Sequence, residues 1–180
     1  MTFSGLIQQS GSYPPATEGN REVEYELEIS TKGASLEELI RQLMSLASYA
    51  NKLYTQSHLI HLNVEGPLFF PLHDFFKEQY QNNIDNFDII SELIRSMNYL
   101  MPMCEKGLSA ACPEFQHVTS YDTRSMVATY IQNLEKLGMA AKEVGATAKV
   151  VGAPDAENKM ADLVNACFKA SWMLKSTLRG

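Results

Sequence analysis

Residues 35–63 read SLEELIRQLMSLASYANKLYTQSHLIHLN, and this stretch decides the fold. Its leucine, isoleucine and alanine side chains recur every three or four residues, which gives one continuous apolar stripe on a helix. Ser35 and Glu38 have the spacing of a capping box, and Gly66-Pro67 is a stop signal. The pattern predicts one helix of about 29 residues, or about 43 Å, which is long for a globular domain.

Three further long helices follow from the same periodicity, at about residues 70–97, 122–151 and 155–178. The segment between the second and third helices contains Pro102, Gly107 and Pro113 and is too long for a tight hairpin loop. We therefore expect a short helix inside a long crossover connection. Four long helices joined in this way predict an all-α protein, a ferritin-like four-helix bundle with a short helix in the B–C crossover.

Residues 1–33 differ from the rest of the chain. Gly, Ser, Pro and Thr fill much of 10–19, and residues 22–29 alternate charged and apolar side chains as a strand does. The first 30 residues contain five acids and one base. One short strand is not stable alone, so we expect 1–33 to be an acidic arm that is flexible or contacts another subunit. The bundle is expected over 34–180.

Composition excludes several classes of protein. The chain has 180 residues, 45% of them hydrophobic, and a formal net charge of −6. This predicts one domain with a sizeable core and argues against general attraction to nucleic acid. No apolar run reaches the roughly 18 residues of a membrane span, and the N-terminus does not resemble a secretion signal. Three cysteines without CxxC spacing predict reduced thiols, and we expect a cytoplasmic location.

Three of the four histidines, His58, His61 and His73, lie within 16 residues. His61 and His73 flank the turn between the first two helices, so their side chains can face each other. Asp88 and Glu92 have i,i+4 spacing further along the second helix, on the same side as His73. Imidazole and carboxylate together suit iron, manganese or zinc. Hydrogen-bonded core histidines and ordinary solvated acids remain the alternative interpretation.

One chain cannot complete this site, because the histidine and the acids lie far apart along the second helix. His73 and Asp88 are 15 residues apart, which is about 22 Å along a straight helix. If two subunits pack with their second helices antiparallel, a two-fold axis brings His73 of one chain beside Asp88 of the other. Such an isologous contact creates two equivalent sites, each shared between chains.

Residues 61–77 read HLNVEGPLFFPLHDFFK, and Asp88 and Glu92 follow at the D-x-x-x-E spacing. With these motifs the chain resembles the Dps family, the mini-ferritins named as DNA-binding proteins from starved cells. Near the C-terminus, residues 168–176 read FKASWMLKS, which is similar to the family's end signature. The resemblance covers about residues 35–178.

The resemblance implies a homo-oligomer, a hollow shell of twelve subunits that oxidises Fe(II), preferably with hydrogen peroxide, and stores ferric mineral. This is a ferroxidase activity that protects against oxidative stress. By the resemblance, His61 and His73 of one subunit and Asp88 and Glu92 of its neighbour bind the iron, and zinc can substitute. Glu92 is the more direct ligand, and Asp88 ligates or orients.

Two departures from the family pattern concern this site. The position four residues after His73, normally an acid that helps to hold a second iron, is Lys77. A protonated lysine repels Fe(II) and cannot ligate it, so we expect the second iron to bind poorly. The family usually has an aromatic residue after the first histidine, beside the iron site, and here that residue is Leu62, so the resemblance does not imply electron scavenging at this position. His58 is a further modulator, as a ligand or as an interface residue.

Two further motifs in the sequence bear on function. Asp155, Glu157 and Asp162 open the fourth helix, where the resemblance places an iron-entry pore, although the first two also complement the helix dipole. The ExxH tetrapeptide at 114–117 has no second copy, and we interpret it as incidental.

A DNA-binding nucleoid protein with a weakened metal site is the alternative function. Because the N-terminal arm is acidic, we expect DNA binding to be absent at physiological salt.

Overall fold

The computed structural model describes residues 34–112 and 114–179. Five helices make up this part of the chain: α1 (Leu36–Asn63), α2 (Phe69–Ser96), α3 (Glu105–Ala110), α4 (Thr123–Val150) and α5 (Pro154–Thr177). The all-α bundle with a short helix in the crossover is thus confirmed. The acidic arm predicted for 1–33 lies outside the described residues. None of the helices described combines the length and hydropathy needed to cross a membrane.

The helix ends follow local capping chemistry. The Ser35 hydroxyl accepts a hydrogen bond from the backbone amide of Glu38 at 3.2 Å. A capping box also predicts that the Glu38 carboxylate accepts a hydrogen bond from the backbone amide of Ser35. That part of the prediction is wrong, because the carboxylate instead accepts from Gln42 and pairs with Arg41. At the start of α4 the Asp122 carboxylate accepts the Ser125 amide at 2.8 Å. Hydrogen bonds from Ser125 lower the pKa of Asp122.

The four long helices pack as two antiparallel pairs. α1 packs along α2 and α4, α4 packs along α5, and α3 lies against α1. α1 buries 13 of its 28 residues, whereas α2, of the same length, buries only six. Much of α2 therefore faces away from the core of its own chain.

The centre of the bundle contains a neutral polar network. The Tyr130 hydroxyl donates to Gln79 at 3.1 Å, and the Asn83 amide donates to both Tyr130 and Ser57. Burial raises the pKa of Tyr130, so its phenol stays protonated. Apart from tyrosine and cysteine, the buried polar side chains in the described part of the chain are serine, glutamine and asparagine, without a carboxylate or a histidine. The interior therefore differs from the di-iron bundles, whose metal ligands project inward.

A second layer of this network depends on Asn133, whose side chain is fully buried. Its amide oxygen accepts from the Tyr49 hydroxyl and the Gln116 backbone, and its nitrogen donates to Gln56. Replacing Asn133→Ala leaves buried groups without partners, so we expect the free energy of unfolding to fall by about 3 kcal/mol. Urea denaturation at fixed protein concentration measures this. The exposed neighbouring Gln132→Ala is the control, and equal stability of the two variants would contradict the prediction.

Candidate metal centre

Two histidine side chains hold each other in place across the α1–α2 turn. His61 Nδ1 donates to the backbone carbonyl of His73 at 2.8 Å, and His73 Nδ1 donates to the carbonyl of His61 at 2.9 Å. The rings are stacked, with centroids 3.8 Å apart and planes inclined by 23°. Because a carbonyl oxygen can only accept, each Nδ1 carries the hydrogen. In the neutral ring Nε2 then keeps its lone pair, the form in which imidazole binds a metal.

The end of α1 explains this arrangement. The last four carbonyl groups of a helix lack intrahelical partners, and the carbonyl of His61 is one of them. The chain reverses at Gly66, whose φ of +86° is a conformation that residues with a Cβ rarely adopt. Glu65 is fixed to α4, since its backbone exchanges two hydrogen bonds with the Thr123 hydroxyl. The turn therefore returns α2 beside α1 and brings the ring of His73 to the unpaired carbonyl.

Aromatic side chains border the histidine pair on both sides. The Phe69 ring stacks on His73 at a centroid distance of 5.0 Å, and Tyr80 meets His61 edge-on at 5.4 Å. Tyr80 is half-buried and is a site residue that the sequence analysis missed. Its position seven residues after His73, two turns along the same helix face, was the available signal.

His58 lies next to the pair without joining it. Its ring is 6.2 Å from that of His61, and it packs against Tyr80 at 4.5 Å and Tyr54 at 5.9 Å. The three rings of His58, Tyr54 and Tyr80 form one aromatic cluster beside the histidine pair. His58 is placed to hold Tyr80 against His61.

The two acids lie on the outer surface of α2. Asp88 and Glu92 are exposed, as is Lys77, one turn after His73. Among the described residues, no group of three or more His, Cys, Asp and Glu side chains comes close enough to hold a metal ion. One chain thus brings together the two histidines, whereas its own acids lie about 22 Å or more along the helix.

The other candidate residues are on different surfaces. Asp155 and Asp162 are exposed and Glu157 is half-buried, all within the first turns of α5. The ExxH residues Glu114 and His117 are exposed on the crossover, which is not helical there. Their side chains therefore lack the shared helix face that this spacing requires.

All three cysteines are free thiols, as expected. Cys104 is exposed, whereas Cys112 and Cys167 are buried. Burial raises the pKa of Cys167 to about 12, which keeps its sulfur protonated. A buried protonated thiol does not act as a metal ligand.

Comparison with known proteins identifies the class of this bundle. The family model described as ferritin-like domain matches residues 7–180. The chain therefore belongs to the ferritin-like domain family. None of the curated proteins matches the chain in sequence.

Solved structures place the fold among the Dps proteins. Dps from Staphylococcus aureus matches with a TM-score of 0.76 and 21% identity, over 81% of this chain and 97% of that one. The Dps protein of Vibrio cholerae O1, described as a member of a broad superfamily of ferritin-like diiron-carboxylate proteins, matches with a TM-score of 0.73 and 24% identity, over 79% and 89%. Helicobacter cinaedi CAIP is 25% identical, with a TM-score of 0.71 over 78% and 99%. These matches agree in fold with the resemblance to the Dps family.

Proposed function

We propose that this protein is an iron-oxidising and iron-storing mini-ferritin whose reaction sites are shared between two chains. His61 and His73 of one chain and Asp88 and Glu92 of another bind Fe(II) as substrate, and hydrogen peroxide is the expected oxidant. The observation that carries the proposal is the reciprocal hydrogen bonding of His61 and His73.

The donor set suits this substrate. Neutral imidazole and carboxylate are ligands that bind Fe(II), and they also bind zinc. Metal-binding histidines characteristically donate their second ring nitrogen to a carbonyl or carboxylate, which fixes the tautomer and the ring orientation. His61 and His73 satisfy this requirement for each other. Glu92 completes the site as a direct ligand, and Asp88 ligates or orients.

The surface of α2 supports the sharing of the site between chains. Its few buried residues leave the outer face without cover from its own chain. An antiparallel α2 pair with His73 opposite the second chain's Asp88 puts the two-fold axis between Tyr80 and Gln81. Both sites form at once, because an isologous contact repeats every interaction. Further contacts would close the dimer into the shell of twelve that the family resemblance implies.

The remaining acids fit the supply of iron to such a shell. Asp155 and Glu157 lie in the first turn of α5 and Asp162 lies about two turns further on, where their charge would attract Fe(II). Inside the shell the ferric product would be stored as mineral. Consumption of peroxide together with Fe(II) would protect a cell against oxidative stress.

Oxidation of Fe(II) by peroxide, measured by the absorbance of the ferric product, tests the proposal. We expect the protein-dependent rate to fall at least about 100-fold in His61→Ala/His73→Ala, since even loss of supporting residues costs 10- to 100-fold. His117→Ala removes an exposed histidine of the crossover and serves as the control. Glu92→Gln, which leaves the turn intact, should lose activity too. Equal rates in the native protein and in the double variant would refute the proposal.

A further inference from the structure

Among the described residues, Tyr80 is the tyrosine whose ring contacts the histidine pair, and a tyrosine side chain can be oxidised by one electron. We propose that Tyr80 supplies the second electron when hydrogen peroxide oxidises a single Fe(II) bound at His61 and His73. The inference rests on the proposed function and concerns how a site with one iron completes a two-electron reaction.

The electron count creates the need for such a donor. Reduction of hydrogen peroxide to water takes two electrons, and Fe(II) gives one on becoming Fe(III). The exposed ammonium group of Lys77, one turn after His73, disfavours a second iron in the same site. Without another reductant nearby, one-electron cleavage of peroxide releases hydroxyl radical.

The contacts single out Tyr80 for this role. Its ring meets His61 at 5.4 Å and His58 at 4.5 Å, so an electron crosses only one ring contact to reach a ligand of the iron. Phe69, which lies against His73 on the other side, is not oxidised under these conditions. In the proposed register of two chains, Tyr80 lies next to the two-fold axis. The radical would therefore form inside the subunit interface, shielded from solvent.

The reaction balances in two steps. In the first, Fe(II), hydrogen peroxide and the Tyr80 phenol give Fe(III), the tyrosyl radical, water and hydroxide. The O–O bond breaks, and one of the two resulting hydroxides takes the phenol proton to become water. In the second, a further Fe(II) reduces the radical, and water returns the proton to the phenol oxygen, leaving Fe(III) and hydroxide. Two Fe(II) are oxidised for each peroxide, although only one is bound at a time.

Rapid-freeze electron paramagnetic resonance after mixing the Fe(II)-loaded protein with hydrogen peroxide tests this inference. We expect a tyrosyl radical whose hyperfine pattern changes when the protein contains ring-deuterated tyrosine. Tyr80→Phe should abolish that signal, still oxidise Fe(II), and release several-fold more hydroxyl radical to a spin trap. Tyr54→Phe is the matched control, since the Tyr54 ring contacts both His58 and Tyr80. Tyr80→Trp should restore low radical release.

The outcomes separate the two proposals. Fe(II) oxidation in Tyr80→Phe with an unchanged radical signal and unchanged spin-trap yield would overturn the role of Tyr80 and leave the proposed function standing. Absence of protein-dependent Fe(II) oxidation in the native protein would overturn both.

Discussion

Mixing two inactive variants is expected to restore Fe(II) oxidation. The first variant, His61→Ala/His73→Ala, keeps its acids, and the second, Asp88→Asn/Glu92→Gln, keeps its histidines. In a mixed dimer one site combines the intact histidines of one chain with the intact acids of the other, and the second site lacks both sets. Random co-assembly in equal amounts makes half of the dimers mixed, so about one quarter of the native activity should return.

This result depends on the sharing of ligands between chains. If all four ligands acted within one chain, every chain in the mixture would still lack half of its site, and activity would stay at the level of the unmixed variants. Co-expression of two copies of the histidine variant under different tags is the control for assembly. Activity is measured as peroxide-dependent Fe(II) oxidation per dimer. Failure of the mixture to exceed its components would contradict the shared site.

Much of the fold follows from local sequence chemistry. The apolar stripe of 35–63 and the Asp122 cap specify where α1 lies and where α4 begins, because both depend on neighbours within one or two helical turns. Only the hydrogen bond from the Glu38 amide to the Ser35 hydroxyl forms in the predicted capping box, and the reason is again local. Glu38 has Gln42 and Arg41 within reach on its own helix, and they compete with the backbone amide for its carboxylate.

The histidine pair was predictable only in part. Its position across the turn follows from the helix boundaries, and the structure confirms that the rings face each other. The reciprocal hydrogen bonds require a helix end, a glycine turn and a ring rotamer to coincide, and no sequence spacing specifies all three. The sequence does not identify Tyr80 as a site residue, because an aromatic residue on a helical stripe has the same pattern whether it packs in a core or beside a site.

The acids of the site remain a prediction for a different reason. Spacing specifies that Asp88 and Glu92 share a face of α2 with His73, because a helix has a fixed rise and rotation. The register of two chains instead depends on the combined shape and charge of both surfaces. Lys77 lies on this face and enters that balance, since an exposed cation there affects both the partner chain and the iron.

Replacing Lys77→Asp is expected to raise the number of Fe(II) ions bound tightly at each site from one to two. Two unit charges 4 Å apart repel by about 1 kcal/mol in water and by about 4 kcal/mol at an effective dielectric constant of 20, so an ammonium group beside the site disfavours a second divalent cation. A carboxylate at the same position reverses the sign of this interaction and adds oxygen ligands. Anaerobic titration calorimetry measures the stoichiometry directly.

Two control variants separate charge from ligation. Lys77→Ala removes the repulsion without adding a ligand, so we expect the second iron to bind, but more weakly than in Lys77→Asp. Lys142→Asp makes the same change of charge on the exposed surface of α4 and should leave the stoichiometry at one. Two tightly bound irons in the unmodified protein would refute the role of Lys77. With Lys77→Asp, two irons at one site supply both electrons to peroxide, so the tyrosyl radical of Tyr80 should disappear as well.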